Sequence, residues 1–213
     1  MITDITQYYY NSKKQCIKKI RERDGEKWCY EYQYNECGLK TKCSFHTENH
    51  EREWSDEYIY DNNVLTVCNH YLANGRKAYY LEYIYDDNNR LKKKKIWTVN
   101  GGLCQSDTSY KYDKKGRLTS ETTIEKSGDK YIKKYKYNDL DLLITTIEIG
   151  EDVSSEFDFL RGRTEYTTEH EYNEAGLVSF DVTYDEKGKQ VIECEYFYNE
   201  DGLLERTISI ETF

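Results

Sequence analysis

The chain has 213 residues, 31 basic and 40 acidic side chains, a net charge of −9 and no proline. No apolar run approaches the ~20 residues of a membrane-spanning helix, and Met1-Ile-Thr-Asp-Ile-Thr-Gln-Tyr8 lacks the basic region and apolar core of a signal peptide. Seven cysteines without a C-x-x-C pair point to reduced thiols in a cytoplasm rather than to a disulfide framework or a zinc site.

Taken in chain order, the predicted elements are strands marked by a recurring tyrosine. A degenerate first copy, within residues 1–24, carries Tyr10-Asn11. The full pattern then returns at Tyr34, Tyr60, Tyr85, Tyr112, Tyr137, Tyr172 and Tyr198. The steps between them are 26, 25, 27, 25, 35 and 26 residues, the period of an array whose units bury their apolar faces against one another.

Directly after each of these tyrosines stands Asn35, Asp61, Asp86, Asp113, Asn138, Asn173 or Asn199. Four residues after the tyrosine comes Gly38, Asn89, Gly116, Asp141, Gly176 or Gly202, with Val64 the exception. An Asx side chain can hydrogen-bond the backbone two residues on, and the later position needs φ > 0, so each copy predicts a tight hairpin turn. The flanks alternate with period two, as in Trp28, Tyr30, Tyr32 and Tyr34 before one turn. Leu91, Leu118, Leu143, Val178 and Leu204, each six residues beyond a tyrosine, keep its parity. Second turns follow at Asp24-Gly25, Asn74-Gly75, Asn100-Gly101-Gly102, Ser127-Gly128 and Lys187-Gly188. About eight two-stranded repeats therefore make one all-β domain over residues 1–213, an antiparallel hairpin array expected to curl into an open, shell-like or solenoid-like sheet.

Charge divides along this array. Residues 1–89 carry −3, residues 90–138 carry +9 and residues 139–213 carry −15. The long step between Tyr137 and Tyr172 holds an insertion within residues 150–162, which joins Glu151, Asp152, Glu156 and Asp158 to Phe157 and Phe159. Acidic groups around aromatic anchors suit a cationic partner surface. With Glu165 and Glu169, these residues form the candidate partner-binding site, set against the simpler reading of a solvated acidic loop.

Other motifs carry less chemistry. Cys43-Ser-Phe-His46 and His50 resemble a metal site only in passing, since His50 falls where other copies place a turn, so neither metal nor cofactor is expected. Lys92-Lys93-Lys94-Lys95 beside Trp97 could touch phosphate and stack a base, but alternation sends two lysines to each face, which argues against nucleic acid. His170 stands where its copy should have the first tyrosine and reads as a repeat variant. There is no nucleophile elbow and no phosphate-cradling glycine loop, so no enzyme is expected.

The pattern resembles the YD repeats of Rhs-type proteins, from about Tyr30 to Leu204 and best at Tyr110-Lys-Tyr-Asp-Lys-Lys-Gly116-Arg-Leu118. That resemblance implies a hairpin array that, in long family members, winds into a hollow shell around a toxic cargo. The resulting expectation is a non-enzymatic cytoplasmic protein-binding repeat protein without membrane contact. Its sharpest form is an immunity-type inhibitor of a basic toxin or effector. The alternatives are a shell fragment that assembles with other repeat proteins and a carbohydrate-binding module.

Overall fold

A computed structural model describes residues 2–50, 52–99, 102–152 and 162–212. It is all β. The first eight strands are β1 (Ile2–Tyr10), β2 (Cys16–Arg23), β3 (Glu26–Tyr34), β4 (Lys40–Thr47), β5 (Glu53–Asp61), β6 (Val64–Leu72), β7 (Lys77–Tyr85) and β8 (Leu91–Thr98). The second eight are β9 (Cys104–Tyr112), β10 (Leu118–Glu125), β11 (Lys130–Tyr137), β12 (Leu143–Asp152), β13 (Gly162–Tyr172), β14 (Val178–Tyr184), β15 (Gln190–Tyr198) and β16 (Leu204–Glu211).

The repeat chemistry explains the turns. At Asp113 the backbone N–H donates to the Arg117 carbonyl at 2.9 Å, and the Gly116 N–H donates to the Asp113 carbonyl at 3.0 Å. The Asp113 carboxylate accepts from the N–H groups of Lys115 and Arg117, each at 2.9 Å. Gly116 has φ 83°, and Asn89 and Asp141 take the same role at 57° and 63°. Val64 breaks the pattern for a physical reason: its turn has only two residues, Asn62 and Asn63, both at positive φ, after which Val64 pairs with Asp61. Just before several turns the register slips by one residue, between Gln33 and Tyr34 and again between Lys136 and Tyr137.

One expectation is overturned here. The sheet is not an open shell or solenoid: its strand ladder is closed, β1 pairing with β2 on one side and with β16 on the other. Six residue pairs run along that seam, from Ile2↔Glu211 to Gln7↔Arg206. The first copy, degenerate in sequence, forms a complete turn. Asn11 makes the same turn as its successors, with its N–H on the Gln15 carbonyl at 3.0 Å and Lys14 at φ 60°. A full-length first strand therefore stands ready to cover the last one, and neither ladder edge is left unpaired.

The chain divides into two compact units, Met1–Tyr80 with Glu193–Phe213, and Leu81–Ile192. In the first, Cys43, Phe45, Cys68 and Thr207 are buried, and register places them on the face that carries Tyr30, Tyr32 and Tyr58. In the second, Ser106, Thr108 and Thr146 are buried on the face of Tyr110 and Tyr135. Ile149 and Asn69 are buried on the opposite face. The repeat is held together by a recurrent stitch, in which the second tyrosine donates to the first carbonyl of the preceding repeat's second strand. Tyr34 reaches Cys16, Tyr60 reaches Lys40, Tyr112 reaches Leu91, Tyr137 reaches Leu118 and Tyr172 reaches Leu143, all at 2.7 to 2.8 Å.

Candidate functional site

In the first unit one register line crosses five strands: Tyr8, Lys19, Tyr30, Phe45 and Trp54 lie opposite one another on β1 to β5. Alternation puts all five on the tyrosine face. From Tyr30 onward the rings form a continuous row. Tyr30 and Phe45 have centroids 5.1 Å apart, Phe45 stacks on Trp54 at 5.2 Å, Trp54 meets His70 at 5.3 Å, and His70 stacks on Tyr79 at 4.3 Å. His70 is oriented by Asp56, its cross-strand partner, at 2.7 Å.

Charges line the same face beside the rings. Arg21 donates through its Nε and guanidinium to Asp4, and Arg23 donates to Glu211 at 2.8 Å. The Arg21 guanidinium is held above its usual range first by that hydrogen bond. Asp4 Oδ1 is a buried atom with no hydrogen-bond partner among the described residues. The Lys19 ammonium sits 3.9 Å above the Tyr30 ring, and burial lowers its pKa. Burial raises Tyr8, Tyr30 and Tyr32, so their hydroxyls stay protonated, and pushes the Cys43 thiol up to about 11. The face is therefore aromatic and polar at once, with fixed dipoles and charges spaced along it.

The second unit holds a relay that sequence reasoning missed. His170 Nδ1 lies 2.7 Å from Asp181, and its Nε2 lies 2.9 Å from the Thr146 hydroxyl. The Asp–His–hydroxyl order is that of an activated nucleophile. Thr146 is 9% exposed and mid-ladder, paired with Tyr135 on one side and Thr168 on the other. The neighbouring backbone N–H groups belong to that ladder, which leaves no oxyanion site among the described residues. The relay satisfies buried polar groups. Its one sequence signal was a histidine replacing a tyrosine at a position on the tyrosine face.

The sequence-predicted partner site is only partly placed. Glu165 and Glu169 lie on the face of β13 opposite the tyrosines, across from Ile149 and Thr145. Glu151 and Asp152 end β12, their backbone paired with Arg163 and Gly162. Glu156, Phe157, Asp158 and Phe159 lie outside the described residues. The long step is thus partly longer strands, since β12 and β13 run to 10 and 11 residues. Gly150 is a strand residue that a Cβ would bring to 2.9 Å from Thr164 Oγ1, with the Tyr131 ring also close.

His46 and His50 stack at 4.5 Å with rings nearly parallel, at 7°. Parallel ring planes share no point where one ion could meet both lone pairs. Among the described residues no group of three or more His, Cys, Asp or Glu could hold a metal. Lys93 pairs with Asp107 at 3.0 Å and Lys95 lies over Trp97, so half of the lysine run is committed within its own sheet.

No family model matches the chain, and no curated protein matches it. Among solved structures it is similar to a porin-like protein from Bacteroides uniformis, with TM-score 0.56 and 8% identity over 99% of this chain and 97% of that one. It also matches TcdB2-TccC3 without its hypervariable C-terminal region, with TM-score 0.40 and 14% identity over 93% of this chain, and TcdB2-TccC3 itself, with TM-score 0.38. The chain spans about a tenth of those two, and superpositions that loose support no argument.

The porin-like match corrects the earlier reading. The architecture is a closed 16-strand barrel and not a YD-repeat or Rhs-type hairpin shell. The expectations of a cytoplasmic protein-binding repeat, an immunity-type inhibitor, a shell fragment and a carbohydrate-binding module are overturned with that array. Cytoplasmic localisation is overturned as well. It was read from the cysteine pattern and from the lack of signal-peptide and helical-span patterns, and barrels cross membranes with strands of about 9–11 residues. The chain is a closed 16-strand β-barrel whose fold is similar to that of a porin-like protein.

Proposed function

We propose that the protein is a non-enzymatic barrel of transport type that holds small solutes on its tyrosine face. One observation carries this reading: the ring row from Tyr30 to Tyr79, flanked by the charged groups Lys19, Arg21, Asp4 and Asp56. Solute sites combine apolar and aromatic walls with a few placed polar groups, and the fold is that of a porin-like barrel.

The opposite face sets the mode. Glu31, Lys42 and Glu57 stand mid-strand on β3, β4 and β5, with Lys42 directly across from Glu57. A cation such as Lys42 on a lipid-facing row costs about 2–4 kcal/mol at the bilayer midplane. The reading is therefore of a barrel that carries solute, not one that spans lipid by this face. Trp28 and Trp54 lie on the tyrosine face and report on it. Titrating their fluorescence with anionic, cationic and neutral small molecules should give a saturable response to at least one class. No response from any class would sink the reading.

The outer row of β13 supports a second, separate proposal, a basic partner seated on Glu165 and Glu169, which share one face. Reversing both to lysine should slow association with such a partner while leaving the fold intact.

A further inference from the structure

We propose that Lys19 anchors a binding site for the carboxylate of a small organic acid on the tyrosine face of the first unit. This rests on the solute-handling reading and names its ligand class.

On the tyrosine face β2 carries three cations, Lys19, Arg21 and Arg23. Two are compensated: Asp4 takes Arg21 and Glu211 takes Arg23. Lys19 makes no ion pair among the described residues, and Asp56, the next carboxylate on this face, is committed to His70. The Lys19 ammonium is instead held over the Tyr30 ring, with Tyr8 across from it on the other side. Its lowered pKa has burial as the largest cause, the mark of a charge short of solvent and without a full counter-ion. A carboxylate arriving there would meet an open ammonium in a partly desolvated setting, where charge attraction is stronger than in water. Arg21, already engaged by Asp4, is no competitor for it. Beyond Lys19 the row continues as Tyr30, Phe45 and Trp54, an apolar flank for the body of the acid. The register line thus offers a cation at one end and rings along the rest, matched by a molecule with an anionic head and an apolar or aromatic tail.

Isothermal titration of the full chain with 3-phenylpropionate tests this, with its neutral amide and phenethylamine as comparators. The acid should bind saturably at one site, at least tenfold more tightly than either comparator, and more weakly as salt rises. Lys19→Met should weaken the acid at least tenfold, and Lys19→Arg should retain it. Equal binding of acid and amide, unchanged binding in Lys19→Met, or no binding to the wild-type chain would overturn the assignment. Should Lys19→Met lose its β spectrum, the methylated Lys19 resonance of the wild-type chain decides: it must shift on adding the acid. Failure here alongside a fluorescence response to other solutes removes only the ligand class; failure of every solute removes the function.

Discussion

Tyr10 donates its hydroxyl to the backbone carbonyl of Leu204, 2.8 Å away and 194 residues along the chain. Leu204 stands six residues past Tyr198, just as Cys16, which Tyr34 reaches, stands six past Tyr10 and Leu118, which Tyr137 reaches, stands six past Tyr112. The bond between the two ends of the chain is therefore one more instance of the repeat rule. Tyr10→Phe should cost about 1 kcal/mol in denaturant unfolding, the net worth of one hydrogen bond. Tyr9→Phe is the control and should cost nothing measurable, because the Tyr9 hydroxyl reaches only Gln7, at 3.4 Å on the exposed side.

Gly116 sits at φ 83° with nothing within 4 Å of where a Cβ would stand. Substitution there is penalised by backbone conformation alone, so Gly116→Ala should cost about 1 kcal/mol, and Gly116→Val more. Asn89→Gly, at the equivalent place with φ 57°, should be close to neutral. Chemical denaturation of the three variants checks the ordering.

Alkaline pH should unfold the barrel. The pKa values of Tyr8, Tyr30, Tyr32 and Tyr110 are raised by burial above 10.0, Tyr110 to about 12. The unfolded chain releases these protons first, so the stabilisation is complete below pH 10 and is lost as pH rises toward the folded values. Tyrosinate absorbance should lag free tyrosine and then appear together with loss of the β spectrum. Simple titration near pH 10 with the fold intact would contradict this.

All seven cysteines are free thiols, so a thiol reagent should count seven in the unfolded, unreduced chain. In the native state Cys37, which is exposed, should react quickly. Cys43 and Cys68 should react slowest, being only 4% and 3% exposed, with pKa values pushed up to about 11 and about 12.

Much of the local structure was legible because it depends on near neighbours. The Asx-and-glycine spacing gave Gly116 its left-handed turn, and period-two alternation put Trp28, Tyr30 and Tyr32 on one face. Closure was not legible, because it depends on Ile2 meeting Glu211 across almost the whole chain, and no local pattern distinguishes a strand edge that stays open from one that is covered. The weak form of Tyr10-Asn11 hid a complete turn, since Lys14 takes the left-handed position usually given to glycine. The candidate site was missed for a related reason. Lys19 is one of several lysines in a polar stretch, and its isolation appears only when β1 and β3 bring Tyr8 and Tyr30 to its two sides. Sequence drew attention instead to the acidic run after Gly150, where charge was conspicuous.

A linear stack of hairpins frays from its outermost members, each of which has one neighbour to lose. Here β1 and β16 have two neighbours each, like every strand between them. Releasing any hairpin must break contacts on both of its flanks before chain entropy is recovered, so the early steps of unfolding are the most expensive ones. Such a ring has no soft terminus from which to peel, and its loss of structure should be abrupt where an open stack of the same hairpins would melt gradually.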